Sequence, residues 1–181
     1  MIIGITGTLG AGKGTIVEFL KQKGFIHFSV TEYLNNELIR RGLPLNRNNQ
    51  VILANQLRQL NSPSYIVKQL YEKAKQEKNS VIESIRTPGE AESIKKKGGI
   101  LLAVDAEPKT RYSRIISRQS EKDNVSFDEF IENEKREMYS IDPHHQNLSK
   151  CIQIADFILE NNKDLGNLKK QVEGIFEKIK T

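Results

Sequence analysis

The chain has 181 residues, 37% of them hydrophobic, and a formal net charge of +5, which suits one α/β domain with a sizeable core and would be cramped for two. Its mean hydropathy is −0.53, no apolar run approaches the length of a membrane span, and the single cysteine, Cys151, excludes an internal disulfide and fits a reducing cytoplasm. Basic residues are dispersed and mixed with acids, as in Glu129 to Glu137, which argues for solvated helix faces and against a nucleic-acid groove.

An apolar strand over Ile2 to Thr6 is expected to be central and buried on both faces, and its start at Met1 or Ile2 leaves no room for a signal peptide. Lys13 to Lys23 reads as a helix ended by Gly24, and Gly24 to Ser29 as a short second strand. Ser29 lies three residues before Glu32, a capping box for a helix that carries Tyr33, Leu34, Leu38 and Ile39 and closes at Arg40-Arg41-Gly42. After the break at Leu43 to Asn46, helical spacing predicts Asn48 to Leu60 and Ser64 to Lys78. Ser80 to Ile85 is a third strand. Thr87-Pro88-Gly89-Glu90 opens a short helix stopped by Gly98-Gly99. Ile100 to Asp105 is a fourth strand, followed by a basic helix over Lys109 to Arg118. Ser126 caps a helix ending near Ser140, and residues 141–150 read as irregular. Ile154 to Leu159 is the fifth strand and Asp164 to Ile179 the closing helix. Strands alternating with helices imply a parallel sheet with right-handed crossovers, with ligands beyond the C-terminal strand ends.

The most specific motif is Gly7-Thr8-Leu9-Gly10-Ala11-Gly12-Lys13-Gly14-Thr15, set between the first strand and the first helix. Its glycines let the backbone curl so that N–H groups point inward at phosphate oxygens. The helix start adds its dipole, and Lys13 a mobile charge for the distal phosphates. A strict Walker A sequence has Ser or Thr directly after the lysine; here Gly14 intervenes. Arg86, just past the third strand, suits a bidentate phosphate contact. Arg40 and Arg41 either join it or serve as partners of their own helix end. Arg114 and Arg118 share a helix face, with Arg111 one turn earlier, and a stripe without acids at the intervening positions calls for anions against it. His144-His145 beside Asp142 lacks a second cluster at ligand spacing, and Cys151 reads as a buried small hydrophobe.

The loop's spelling, G-x-x-G-x-G-K-G-T, resembles adenylate kinase and its relatives among the nucleoside monophosphate kinases, with Leu9 where many of them have proline. His27 to Glu32 is similar to the start of their acceptor-binding helix, Val81-Ile82-Glu83-Ser84-Ile85-Arg86 to a strand that normally reads V-I-D-G-x-R, and the arginine helix to the one leading into their mobile lid. Lys150 to Ile158 is similar to the last strand of dephospho-CoA kinases and of a less characterised group of deoxynucleotide-kinase-like P-loop proteins. That group shares the I-R-x-P-G-E pattern of Ile85 to Glu90 and matches nearly the whole chain.

The resemblance implies one domain over residues 1–181 with an α/β, three-layer P-loop NTPase fold and a five-stranded parallel sheet. Within it, a helical acceptor region is expected at about 29–78 and a lid at about 111–150. It implies ATP and Mg²⁺. Gly7 to Thr15 and Asn161 would surround ATP, with Thr15 and Glu83 at the metal and Asp105 as the other candidate carboxylate. Ser29, Glu32, Tyr33, Arg40 and Arg86 would surround the acceptor, and Lys13, Arg86, Arg114 and Arg118 the phosphoryl group in transfer. The expected activity is phosphoryl transfer from ATP to a nucleoside or deoxynucleoside monophosphate, with small-molecule nucleotides as partners. Two alternatives stay open. One is a dephospho-CoA kinase, against which stands the lack of an acid at Thr8 or Leu9. The other is a nucleotide-binding regulatory ATPase that transfers nothing, for which the departures at Glu83 and Ser84 speak. The acceptor's base and sugar and the oligomeric state stay open as well.

Overall fold

A computed structural model describes residues 1–117 and 125–180. Its frame is a five-stranded parallel sheet of β1 (Ile2–Gly7), β2 (Ile26–Ser29), β3 (Ser80–Ile85), β4 (Ile100–Asp105) and β5 (Phe157–Glu160), in the order β2-β3-β1-β4-β5. The helices are α1 (Lys13–Gln22), α2 (Val30–Arg40), α3 (Arg47–Leu60), α4 (Tyr65–Ala74), α5 (Pro88–Lys96), α6 (Pro108–Ile116), α7 (Phe127–Met138), α8 (Leu148–Gln153) and α9 (Leu165–Lys180). Alternation along the strands sorts the apolar residues between two cores. Ile3, Ile5, Val81, Leu102, Val104 and Leu159 pack under α1 and α9. On the other face, Ile82, Ile85 and Leu101 pack under α2 to α5 and α8. This is the three-layer α/β arrangement expected. Among the described residues no helix is long and apolar enough to cross a membrane.

Two local departures matter. The register runs Ile5 to Glu83 and then Thr6 to Ile85, so Ser84 is an extra residue at the C-terminal end of β3. It takes φ 73°, a left-handed value, at the position where the resembling strand has glycine. Because of this bulge Ile82 and Ile85, three apart rather than two, share one core.

The second departure corrects the fifth strand, which starts at Phe157 rather than Ile154. Leu148 to Gln153 instead form α8, inside and beyond the stretch read as irregular. The Asn147 side chain caps it by accepting the Lys150 N–H at 3.0 Å, and Cys151 is sealed in the core, its thiol pushed up to about 12 by burial. Asp156 then hooks the chain onto β4, accepting the Leu101 N–H and donating its own N–H to the Leu101 carbonyl, both at 2.8 Å. A six-residue helix running into an apolar strand has too few turns to display a helical period.

Candidate functional site

The glycine loop lies where β1 gives way to α1, at the C-terminal edge of the sheet. Gly7 has φ 139°, and a Cβ there would fall on the Val104 carbonyl oxygen, so only glycine lets β1 run this close to β4. Gly12, at φ 108°, is the N-cap of α1, and no acid sits in the first turn, which leaves the helix start electropositive. Lys13 Nζ donates to the carbonyls of Gly7 (2.9 Å) and Thr8 (2.8 Å). Burial chiefly, with help from the Arg86 guanidinium, pushes the Lys13 ammonium down to about 8. A phosphate beside Lys13 favours its charged form. Nucleotide binding should therefore take up a proton above pH 8, and affinity should fall as pH rises through 8. Calorimetry in buffers of different ionisation enthalpy reads both, and a pH-independent affinity without proton uptake would contradict the assignment.

Two neighbours fix the loop. Thr8 Oγ1 donates to Asp105 Oδ1 at 2.5 Å, and the same oxygen accepts the Ala106 N–H at 2.8 Å. Asn161, 5% exposed, donates from Nδ2 to the Ala11 carbonyl at 2.8 Å. Its amide thus braces the loop as well as lining a cleft beside it. That cleft, of about 370 Å³, brings together Gly10, Gly12, Thr15, Arg114, Asn161 and Lys163, and its volume is that of a small-ligand site. Arg114 Nη1 is enclosed with no hydrogen-bond partner among the described residues. Arg118 lies outside the described residues. Arg111 does not face the cleft as an open cation: it is 2% exposed, forks onto Glu134 of α7, and donates from Nε to the Ala106 carbonyl at 2.6 Å. For Arg111, the anion called for by the stripe is a carboxylate of the protein itself.

Beyond the end of β3 the arginines converge. Arg86 Nη1 donates to Glu137 Oε2 at 2.7 Å and to Gln146 Oε1 at 3.1 Å. Arg47, at the start of α3, bonds the other Glu137 oxygen. Burial alone would raise the Glu137 carboxyl, but the guanidiniums of Arg86 and Arg47 outweigh it and hold the group below the usual carboxylate range. Arg58, on α3, forms a fully buried ion pair with Glu90, 2.9 Å from Nη2. The second Glu90 oxygen accepts the backbone N–H groups of Arg86 (3.0 Å) and Thr87 (3.2 Å), so this pair sets where Arg86 leaves the strand.

The remaining acceptor candidates lie elsewhere. α2 presents Thr31 and Leu34 to the cavity lined by Arg47, Arg58 and Arg86. Ser29, Glu32 and Tyr33 line a separate cavity of about 260 Å³ with His27, Asn36 and Lys73, because neighbouring helix positions point to different sides. Ser29 Oγ caps α2 by accepting the Glu32 N–H at 3.2 Å. Arg40 is exposed and forks onto Glu37. Glu83, the candidate metal carboxylate, accepts from Ser84 Oγ at 2.7 Å and faces His27 Nε2 at 4.0 Å. Among the described residues no group of three or more His, Cys, Asp or Glu side chains is placed to hold a metal ion. Asp142 holds the His144 ring at 3.0 Å and the His145 ring at 3.6 Å within one turn.

Sequence reasoning missed Arg47, Arg58, Glu90, Glu134, Glu137 and Gln146. For the two α7 acids a signal existed. Phe130, Glu134 and Glu137 follow at i, i+4 and i+7, one helix face, and that face begins with a buried aromatic ring.

The sheet, the loop and the lysine define a P-loop kinase-like nucleotide-binding fold. Residues 3–140 match the family model described as AAA domain, AAA_18, and the chain belongs to that family of P-loop proteins. It is similar to a UPF0200 protein of Methanococcus vannielii, 33% identical over 184 residues that cover 98% of this chain and 96% of the relative. Among solved structures, shikimate kinase from Bacteroides thetaiotaomicron superposes with a TM-score of 0.57 at 16% identity, over 100% of this chain and 99% of that one. Deoxyadenosine kinase from M. mycoides with bound dATP does so with a TM-score of 0.53 at 17% identity, over 100% of each chain. At these identities the likeness is one of fold.

Proposed function

We propose that the chain is an ATP-dependent phosphotransferase whose acceptor is a nucleoside or deoxynucleoside monophosphate. One observation carries this reading: the loop with Lys13 and the convergence of Arg47, Arg58 and Arg86 are two separate cationic seats at the same sheet edge, close enough for Arg86 and Arg47 to act on the Lys13 charge. Positioning and charge neutralisation, rather than a covalent catalyst, are what phosphoryl transfer asks of a protein. Lys13 and the loop N–H groups hold the ATP phosphates, and the cleft by Arg114, Asn161 and Lys163 takes the rest of the nucleotide. An acceptor phosphate oxygen forms the new bond to the γ-phosphorus as the bond to the β–γ bridging oxygen breaks, and ADP leaves with that electron pair. Arg86 orients the acceptor, and Arg114 stabilises charge on the group in flight. Thr15, exposed on the cleft, and Glu83, at the end of β3, offer the hard oxygen donors that Mg²⁺ takes; Mg²⁺ would neutralise phosphate charge there. Helices α2 to α4 form the acceptor side and α6 to α7 the lid that keeps water out. The single buried cysteine suits work in a reducing cytoplasm.

A second reading, transfer to an alcohol, has one observation in its favour. Asp105 brings a carboxylate to within 2.5 Å of Thr8 Oγ1, so the loop has an acid beside it although its own sequence lacks one. A coupled assay over nucleoside and deoxynucleoside monophosphates and dephospho-CoA separates the readings. Turnover of a monophosphate is expected, and Arg114→Ala should lower it about tenfold or more. Turnover of dephospho-CoA alone would select the alcohol reading. ATP binding with no turnover on any acceptor would leave a regulatory nucleotide-binding protein.

A further inference from the structure

Two cavities meet at one carboxylate. The first, lined by Thr31, Leu34, Arg47, Arg58, Arg86 and Glu137, has a volume of about 40 Å³, room for a few waters at most. The second, of about 420 Å³, opens between α3 and α7 and is lined by polar side chains that include Asn48, Asn55, Asn133 and His145, a size and character suited to a small polar ligand. Arg47, Val51, Glu137 and Gln146 line both. Glu137 therefore stands in the partition, its two oxygens held by Arg86 and Arg47.

We propose that Glu137 occupies the seat of the acceptor's phosphate, and that a phosphate monoester binds by displacing this carboxylate from Arg47 and Arg86, which joins the two cavities into one acceptor chamber. The proposal rests on the kinase reading and adds to it the side chain that holds the seat before the ligand arrives and the gate between the two cavities.

Two observations point to an anion as the ligand. Arg58 is 1% exposed and lines the small cavity, yet its Nη1 has no hydrogen-bond partner among the described residues. A buried guanidinium N–H without an acceptor is costly and rare. The second is charge. Among the described residues, the guanidiniums of Arg47, Arg58 and Arg86 pair with only the carboxylates of Glu90 and Glu137, which leaves a net positive cluster. A dianionic phosphate in place of Glu137 neutralises it, whereas a monoanionic carboxylate would only reproduce the present balance. Phosphate also offers a third oxygen to Arg58 Nη1. Glu134 of the same helix stays clamped to Arg111, so release of Glu137 frees the C-terminal turn of α7 while its middle remains docked. The amide-rich chamber that opens lies where the nucleoside portion of the acceptor would extend.

The probe is inorganic phosphate at pH 8, with acetate as the monoanion control. By calorimetry the Glu137→Gln protein should bind phosphate about tenfold or more tightly than wild type, because the competing charged acceptor bonds are gone, and should gain far less for acetate. In wild-type crystals soaked in phosphate, Glu137 should have left Arg86, with phosphate within hydrogen-bond distance of Arg58 Nη1; this second measurement does not depend on the variant folding. Equal or weaker phosphate binding by a folded Glu137→Gln protein, or an intact Arg86–Glu137 pair in the soaked wild type, overturns the proposal. If either occurs while monophosphates are still phosphorylated, the gate falls and the kinase reading stands. Tighter phosphate binding with no turnover on any acceptor reverses that outcome.

Discussion

Replacing Lys13 with Met should cut phosphoryl transfer by roughly a hundredfold or more, the usual consequence of removing one preorganised donor from the transition state of a charge-dispersing reaction. The expectation follows from the ammonium's setting. It is the cation of the loop, aimed by the Gly7 and Thr8 carbonyls at 2.9 and 2.8 Å, and its environment already strains against the charge, since burial and Arg86 push it down to about 8. An anion that relieves this strain is bound more strongly as charge shifts onto the oxygens beside Lys13 in the transition state, so the loss should fall on kcat more than on KM. Folding should suffer little, because the fold gains nothing from holding a charge at a site that disfavours it. Steady-state kinetics with melting curves as a folding control check this. A change of under about threefold in kcat would mean that Lys13 does not touch the group being transferred.

Glu90→Ala is expected to have the largest effect on stability, about 3 to 5 kcal/mol. Glu90 and Arg58 are 0% and 1% exposed, and removing the carboxylate strands a guanidinium in a core made of Leu53, Leu57, Ile66 and Ala91. The backbone N–H groups of Arg86 and Thr87 lose their acceptor in the same step. For a chain of this length, each kcal/mol lowers the melting temperature by about 2 to 4 °C, so a fall of roughly 10 °C should be read by thermal denaturation. A fall of only a degree or two would show that water reaches Arg58. The double change Glu90→Leu with Arg58→Met should recover part of the loss, because a buried pair can often be exchanged for apolar contacts.

These two residues also mark the boundary of what the sequence discloses. Lys13 was legible because its chemistry is local: strand, glycines, lysine and helix follow one another within fifteen residues, and each has a steric reason. Helical spacing put Arg114 on one face with Arg118, and β1 was legible as an apolar run that a strand buried on both faces accommodates. Glu90 was read only as part of the turn that opens a short helix; in the structure it completes a capping box with Thr87. Its ion pair with Arg58 joins residues 32 apart, and nothing local in either segment specifies it. The same holds for Glu137 with Arg86, 51 apart: α7 looked solvated because its acids and bases are mixed, and only the fold shows which face turns inward. Glu32 and Tyr33 lie on the helix whose Thr31 and Leu34 face the cavity by Arg86, yet they line a different cavity, since a motif names a segment without stating which of its faces meets the cavity.

The bulge at Ser84 carries a further meaning. In a regular strand each side chain points opposite to its neighbours, so a single inserted residue reverses the sense of everything after it. With Ser84 present, Ile85 falls in with Ile82 in the core under α2 to α5, and Arg86 leaves the sheet into the cavity that α2 and α3 line. Deleting Ser84 would keep every charged residue in the chain and still turn the strand's exit through half a pleat, carrying the arginine from one layer of the molecule toward the other. The address of Arg86 is therefore written one step ahead of it, in the count of residues rather than in their chemistry.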